Sequence, residues 1–166
     1  MPQLAAGRED PYALRVPPVI RIARLPTLLA VMLAAPEPAS GSTSQSERCG
    51  WFADSTLDVC KVTSPEGLDY RLVASACGVA SSIARERCTT PDVWRELMAA
   101  QRKPDKADFV AFVARHAGEA TAAGCDKMLD VMIEKPSCSE WGARARRTLQ
   151  AGLKEELDGR KAKKAQ

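Results

Sequence analysis

Six cysteines constrain this chain more than any other feature: Cys49, Cys60, Cys77, Cys88, Cys125 and Cys138. An even count in an exported chain implies a disulfide framework. The sequence contains no C-x-x-C pair, so zinc knuckles and thioredoxin-type redox motifs find no support. It contains no C-x-x-C-H either, which removes c-type haem attachment.

Spacing narrows the pairings. Cys49 and Cys60 are eleven residues apart, as are Cys77 and Cys88. Eleven steps of ~100° close to within about 20° of whole helical turns, so each pair lies on one helix face. The outer and inner cysteines share a midpoint. An antiparallel hairpin of two helices therefore aligns Cys49 with Cys88 and Cys60 with Cys77. This resembles the twin-cysteine hairpins of the mitochondrial intermembrane space, which carry one residue fewer between cysteines. The scheme leaves Cys125 for Cys138 and requires the chain to double back around Pro136. A straight helix between them would exceed the allowed Cα separation of about 4.4–6.8 Å. A second scheme bridges Cys88 to Cys125, clamping a hairpin that turns near Pro104, and ties Cys49 to Cys138. Cys60–Cys77 is common to both, and the sequence leaves the two schemes open.

The first 40 residues read as a signal segment. Arg15, Arg21 and Arg24 precede an apolar stretch, Leu25 to Ala35, with small residues Ala39-Ser40-Gly41 beyond it. Positive region, apolar stretch and small-residue exit are the parts of a secretory signal. Cleavage is expected near Ser40 or Gly41. The region before the apolar stretch is atypically long and carries Glu9 and Asp10. Residues 41–47 read as a linker, 48–158 as the folded domain and 159–166 as a basic disordered tail. The expected location is secreted or periplasmic.

Aromatics are only 5% of the chain, and Ala, Leu, Val and Met carry the apolar fraction, which favours helices over strands. The expected fold is all-α, a disulfide-stabilised bundle of about five helices. Ser44 and Glu47 form a capping box for a first helix to about Val62, with Phe52, Thr56, Val59 and Cys60 inward. A second helix, about Leu68 to Arg87, places Leu72, Ala76, Val79, Ala80 and Ile83 at helical spacing. Thr90-Pro91-Asp92 starts a third, presenting Val93, Trp94, Leu97 and Met98. A fourth, about Lys106 to Ala123, carries Phe109, Phe112, Val113, His116 and Ala120. Gly124 interrupts it, and Met128, Leu129, Met132 and Ile133 continue the period. Ser137 and Glu140 cap a last helix with Ala145, Leu149, Leu153 and Leu157 at steps of four.

The formal charge is +3, but it is uneven. Residues 41–143 carry 12 basic and 15 acidic side chains, whereas 144–166 carry 8 and 3. No basic stripe is interleaved with aromatics, so nucleic-acid binding is not expected. No apolar run reaches the ~18 residues of a membrane span. His116 is the only histidine and lies on an apolar helix face, which reads as a core position. A Cys–His catalytic pair requires a free thiolate, and a complete framework leaves none. Asp126 and Asp130, four apart, read as a solvated face, as do Glu66 and Tyr70. There is no glycine-rich phosphate loop and no G-x-S-x-G elbow. No enzymatic activity, metal or cofactor is expected. The partner is expected to be another protein. Candidate contacts are Trp141, read as exposed beside Gly142, and the stripe Leu149, Leu153 and Leu157. Trp94 reads as core.

Four cysteine contexts bear on family: Leu57-Asp58-Val59-Cys60, Cys77-Gly78-Val79-Ala80, Cys88-Thr89-Thr90-Pro91, and Cys125 after two helices. In this order, Phe52 to Cys125 resembles the small periplasmic immunity proteins of type VI secretion, the Rap/Tai type. The chain departs from that pattern at Gly124, where a proline is expected, and in its extra Cys49 and Cys138. The resemblance implies a helical inhibitor that neutralises a partner enzyme by occluding its active cleft. The alternative is a structural or adaptor protein of the cell envelope, using its last helix and basic tail.

Overall fold

The computed structural model describes residues 44–130 and 136–164. The described residues form five helices and no strand: α1 (Gln45–Val62), α2 (Tyr70–Thr89), α3 (Pro91–Arg102), α4 (Ala107–Leu129) and α5 (Cys138–Lys164). The proposed signal segment, residues 41–43, Met132 and Ile133 lie outside the described residues.

Of the expected caps, Ser44 and Ser137 form theirs, whereas Thr90, at the start of α3, makes no side-chain cap hydrogen bond and donates its hydroxyl to the Arg87 carbonyl at 2.7 Å. Ser44 Oγ accepts from the Glu47 amide at 3.2 Å, and the Glu47 carboxylate accepts from the Ser44 amide at 2.7 Å. Two backbone donors that a helix start would orphan are thus satisfied. The linker reading of residues 44–47 is corrected by the same contacts, because Ser44 is the cap and Gln45 already helical. Asp69 caps α2 by accepting from the Arg71 amide, two residues later than the sequence suggested. Ser137 Oγ accepts from the Glu140 amide at 3.3 Å.

The disulfides follow the hairpin scheme: Cys49–Cys88, Cys60–Cys77 and Cys125–Cys138, with Cα separations of 5.5, 5.6 and 5.5 Å. Cys88–Cys125 and Cys49–Cys138 are thereby excluded. α1 and α2 run antiparallel with a bridge near each end. The Cys125–Cys138 bridge ties the end of α4 to the start of α5.

Two apolar clusters make the core. One gathers Trp51, Phe52, Phe109, Val113, Leu149 and Leu153 beside the Cys49–Cys88 bridge. Trp51 stacks on Phe109 with ring centroids 6.3 Å apart. The other gathers Leu129 and Trp141 around the remaining two bridges. On α1, Phe52, Thr56, Val59 and Cys60 are buried as expected. On α2 the buried stripe is Val73, Ala76, Cys77, Ala80 and Ala84. It lies beside the predicted stripe, and Leu72, Val79 and Ile83 are only partly buried. The bridged cysteines turn this helix, so the face holding Cys77 and Cys88 goes inward. Trp94 is likewise only partly buried, packed on the edge of the first cluster.

Gly124 does not interrupt α4, which runs unbroken through it. A Cβ there would stand 2.5 Å from the Ala76 carbonyl and 2.7 Å from the Ala80 amide of α2. The glycine is a crossing point where two backbones meet. Gly118 and Gly142 make a second crossing between α4 and α5. A Cβ on Gly118 would stand 2.7 Å from the Gly142 carbonyl, and one on Gly142 2.5 Å from the Gly118 carbonyl.

Candidate functional site

The last helix decides which surfaces remain for a partner. Its first turns are fastened to the end of α1. Trp141 is fully buried, and its indole N–H donates to the Cys60 carbonyl at 2.9 Å. Arg144 Nε donates to the Thr63 carbonyl at 3.2 Å. Both bonds satisfy carbonyls at the α1 C-terminus that lack intrahelical partners. The expectation that Trp141 is an exposed partner contact is therefore corrected. Gly142 lets α5 come close enough to α4 to cover the indole, and Cys60 supplies the acceptor a buried indole requires.

Leu149 and Leu153 are also buried, at 5% and 2% exposure, and Leu157 is partly buried against the same cluster. They are first of all core residues packed on their own domain, which limits what the stripe can offer a partner. As a whole, α5 packs mainly on α4 and less extensively on α1. Between α1 and α5 this leaves a groove of about 630 Å³. Val59, Leu149 and Leu153 line it, so two of the predicted partner residues do present an edge to it. Leu157 and Trp141 do not line it.

The α1 wall is Ser55, Asp58, Val59 and Val62, an i, i+3, i+4, i+7 stripe. Val62 is 50% exposed, one of the two large apolar side chains exposed among the described residues. On the α5 wall, Gly152 and Gly159 lie seven residues apart, and a Cβ on either would meet nothing within 4 Å. Asp58 and Glu155 stand on opposite walls, both exposed. Toward the end of α5, Glu156 accepts from Arg160 at 2.7 Å, with Lys163 a turn beyond. The groove escaped sequence reading because its α1 wall mixes polar and apolar residues. Val62, apolar and outward at the end of a capped helix, was the available signal.

The basic end of the chain is part of this helix. Residues 159–164 are helical, which corrects their reading as a disordered tail. Arg160 pairs with Glu156 and Lys161 with Asp158, at 2.7 and 3.8 Å, spacings that support a helix from its own side chains.

His116 sits elsewhere, on α4 at 9% exposure. Its ring lies against Phe112 with centroids 4.4 Å apart. Nε2 is 3.3 Å from Arg115, and Nδ1, with no hydrogen bond, is 3.7 Å from Glu119. Its neighbours are themselves paired, Arg115 with Glu96 and Arg87 with Glu119. Burial is the main cause that holds the imidazole below its ordinary pKa of 6.5, opposed by Glu119. Arg115 and Arg87 push the same way as burial, and Glu96 opposes them. The native state thus prefers the neutral ring. Above pH 6.5 the ring is neutral in native and unfolded chains and contributes no slope. Below it the unfolded chain takes up a proton that the native protein resists, so stability falls with acidification until the native pKa is reached. Urea midpoints measured across this range are expected to fall toward acid, and His116→Gln to flatten that decline. An unchanged decline in the variant would assign it to other groups.

The pairs spaced four apart that were read from sequence remain on the surface: Asp126, Asp130, Glu66 and Tyr70 are exposed. No group of three or more His, Cys, Asp or Glu side chains that could hold a metal ion occurs among the described residues. No helix among them is long and apolar enough to cross a membrane. The chain matches no protein-family model, no curated protein and no solved structure.

Proposed function

We propose that the chain is an exported helical binding protein that neutralises a partner enzyme by covering its active cleft. The observation that carries this reading is the groove between α1 and α5. Its floor is Val59, Leu149 and Leu153, and half-exposed Val62 stands at its lip. An apolar concavity of this size with charged groups at its rim is characteristic of a docking surface. Three buried disulfides with no free cysteine are compatible with an oxidising compartment. The likeness to Rap/Tai-type immunity proteins supplies the class of partner, a secreted enzyme delivered into the same compartment.

The test is protection. Exported together with the product of a neighbouring toxin-like reading frame, the chain is expected to restore growth and to co-purify as a stable complex. Intact, exported chain that neither protects nor binds contradicts the proposal. Attachment to an envelope component that is lost in high salt and on deletion of residues 159–166 would favour the adaptor reading instead.

A further inference from the structure

We infer that the α1–α5 groove seats one amphipathic helix of the partner, with basic side chains along both flanks of its apolar stripe. This rests on the binding reading above and names what the partner must present.

Shape argues for a helix. Both walls are themselves helical stripes. The α5 wall extends from Thr148 to Lys163. At 1.5 Å per residue that is about 22 Å, the length of roughly four helical turns. Packed helices approach to about 8–10 Å between axes, and small residues on one wall shorten the approach. Gly152 and Gly159 provide this on the α5 wall, since among the described residues nothing stands within 4 Å of a Cβ placed on either. The fold does not require these two glycines, unlike Gly118, Gly124 and Gly142, where a Cβ would strike backbone. An exposed glycine inside a helix lowers its stability relative to alanine.

Charge argues for the flanks. Asp58 on one wall and Glu155 on the other make no ion pair among the described residues. An occupant with Lys or Arg on both sides of its stripe meets one carboxylate on each wall. At the end of the groove Lys163, also without an ion pair, selects an acidic residue or a helix C-terminus. The groove therefore has a sign pattern as well as a shape, and the pattern fixes which way the occupant runs.

The experiment uses the oxidised exported protein and two synthetic amphipathic 18-residue peptides. They share one leucine stripe, flanked by lysine in one and by glutamate in the other. The lysine-flanked peptide is expected to shift the amide resonances of Val59, Val62, Gly152 and Gly159, and to bind about tenfold more tightly than the glutamate-flanked one. The double variant Asp58→Lys, Glu155→Lys is expected to reverse that preference. Gly152→Leu, in open space and so not a threat to folding, is expected to abolish the shifts without lowering the thermal midpoint. Three results would overturn the inference: no groove shifts with either peptide, equal binding of both, or self-association that shifts the same amides before peptide is added. A partner captured equally by wild type and Gly152→Leu would overturn the groove and leave the binding function standing. Groove shifts without protection against the enzyme would do the reverse.

Discussion

Gly124→Ala is expected to destabilise the protein by about 2 kcal/mol net, an overpacking cost of about 3 kcal/mol, the upper end of the usual range, less what alanine gains in helix propensity. The atoms a methyl group would strike are the Ala76 carbonyl and the Ala80 amide, both backbone. Neither helix can retreat easily. Cys77 on α2 is bridged to Cys60, and Cys125, the residue after the glycine, is bridged to Cys138. Alanine's better helix propensity recovers only about 1 kcal/mol. Against a total stability of about 5–15 kcal/mol for a domain of this kind, the remainder is large. Gly152→Ala is the matched control, because its Cβ meets nothing within 4 Å. It is expected to raise stability by about 0.5–1 kcal/mol. Urea midpoints of the oxidised proteins measure both. A Gly124→Ala variant as stable as wild type would mean that α2 and α4 do not cross there.

Removing the Cys49–Cys88 bridge by paired alanine substitution is expected to cost about 4 kcal/mol, and Cys60–Cys77 about 3 kcal/mol. The order follows from the chain each bridge closes: sequence separations are 39 and 17. A longer loop confines the unfolded chain more, in the chain-entropy account. The bridges are also buried, with no cysteine above 6% exposure. Reductant should therefore act on molecules that have already opened, and reduction should track urea concentration. Thermal or urea midpoints of the two paired variants give the comparison. A reversed order would show that packing around Cys60 and Cys77, beside Trp141, outweighs loop closure.

These two predictions also mark what the sequence made legible. Helical cysteine spacing made the α1–α2 hairpin readable, because eleven residues return a helix to the same face. It could not choose a partner for Cys125, since that choice depends on how the chain turns around Pro136. Gly124 was misread for a physical reason: glycine is a poor helix former locally, yet a close crossing demands it, and the crossing helix lies more than forty residues earlier. Trp141 was misread in the same way. Beside Gly142 it looked exposed, whereas that glycine is what lets α4 and α5 close over it, and its acceptor is the carbonyl of Cys60, 81 residues away. At the basic end, composition suggested a loose tail, but the Glu156–Arg160 and Asp158–Lys161 pairs carry the helix on. The groove was half legible. Leu149 and Leu153 were read as partner contacts together with Leu157 and Trp141, which do not line it, and only the fold brought Val59 and Val62 opposite the first two.

Three specific bridges lock the domain, and the proposal is that they form on export. Intact mass with disulfide mapping, on protein recovered from an exporting host, tests it most directly. The expected product starts near residue 41, has no free thiol, and yields linked peptides for Cys49–Cys88, Cys60–Cys77 and Cys125–Cys138. Free thiols on a chain with an uncut N-terminus, or peptides joining Cys88 to Cys125, would contradict the compartment and the fold together.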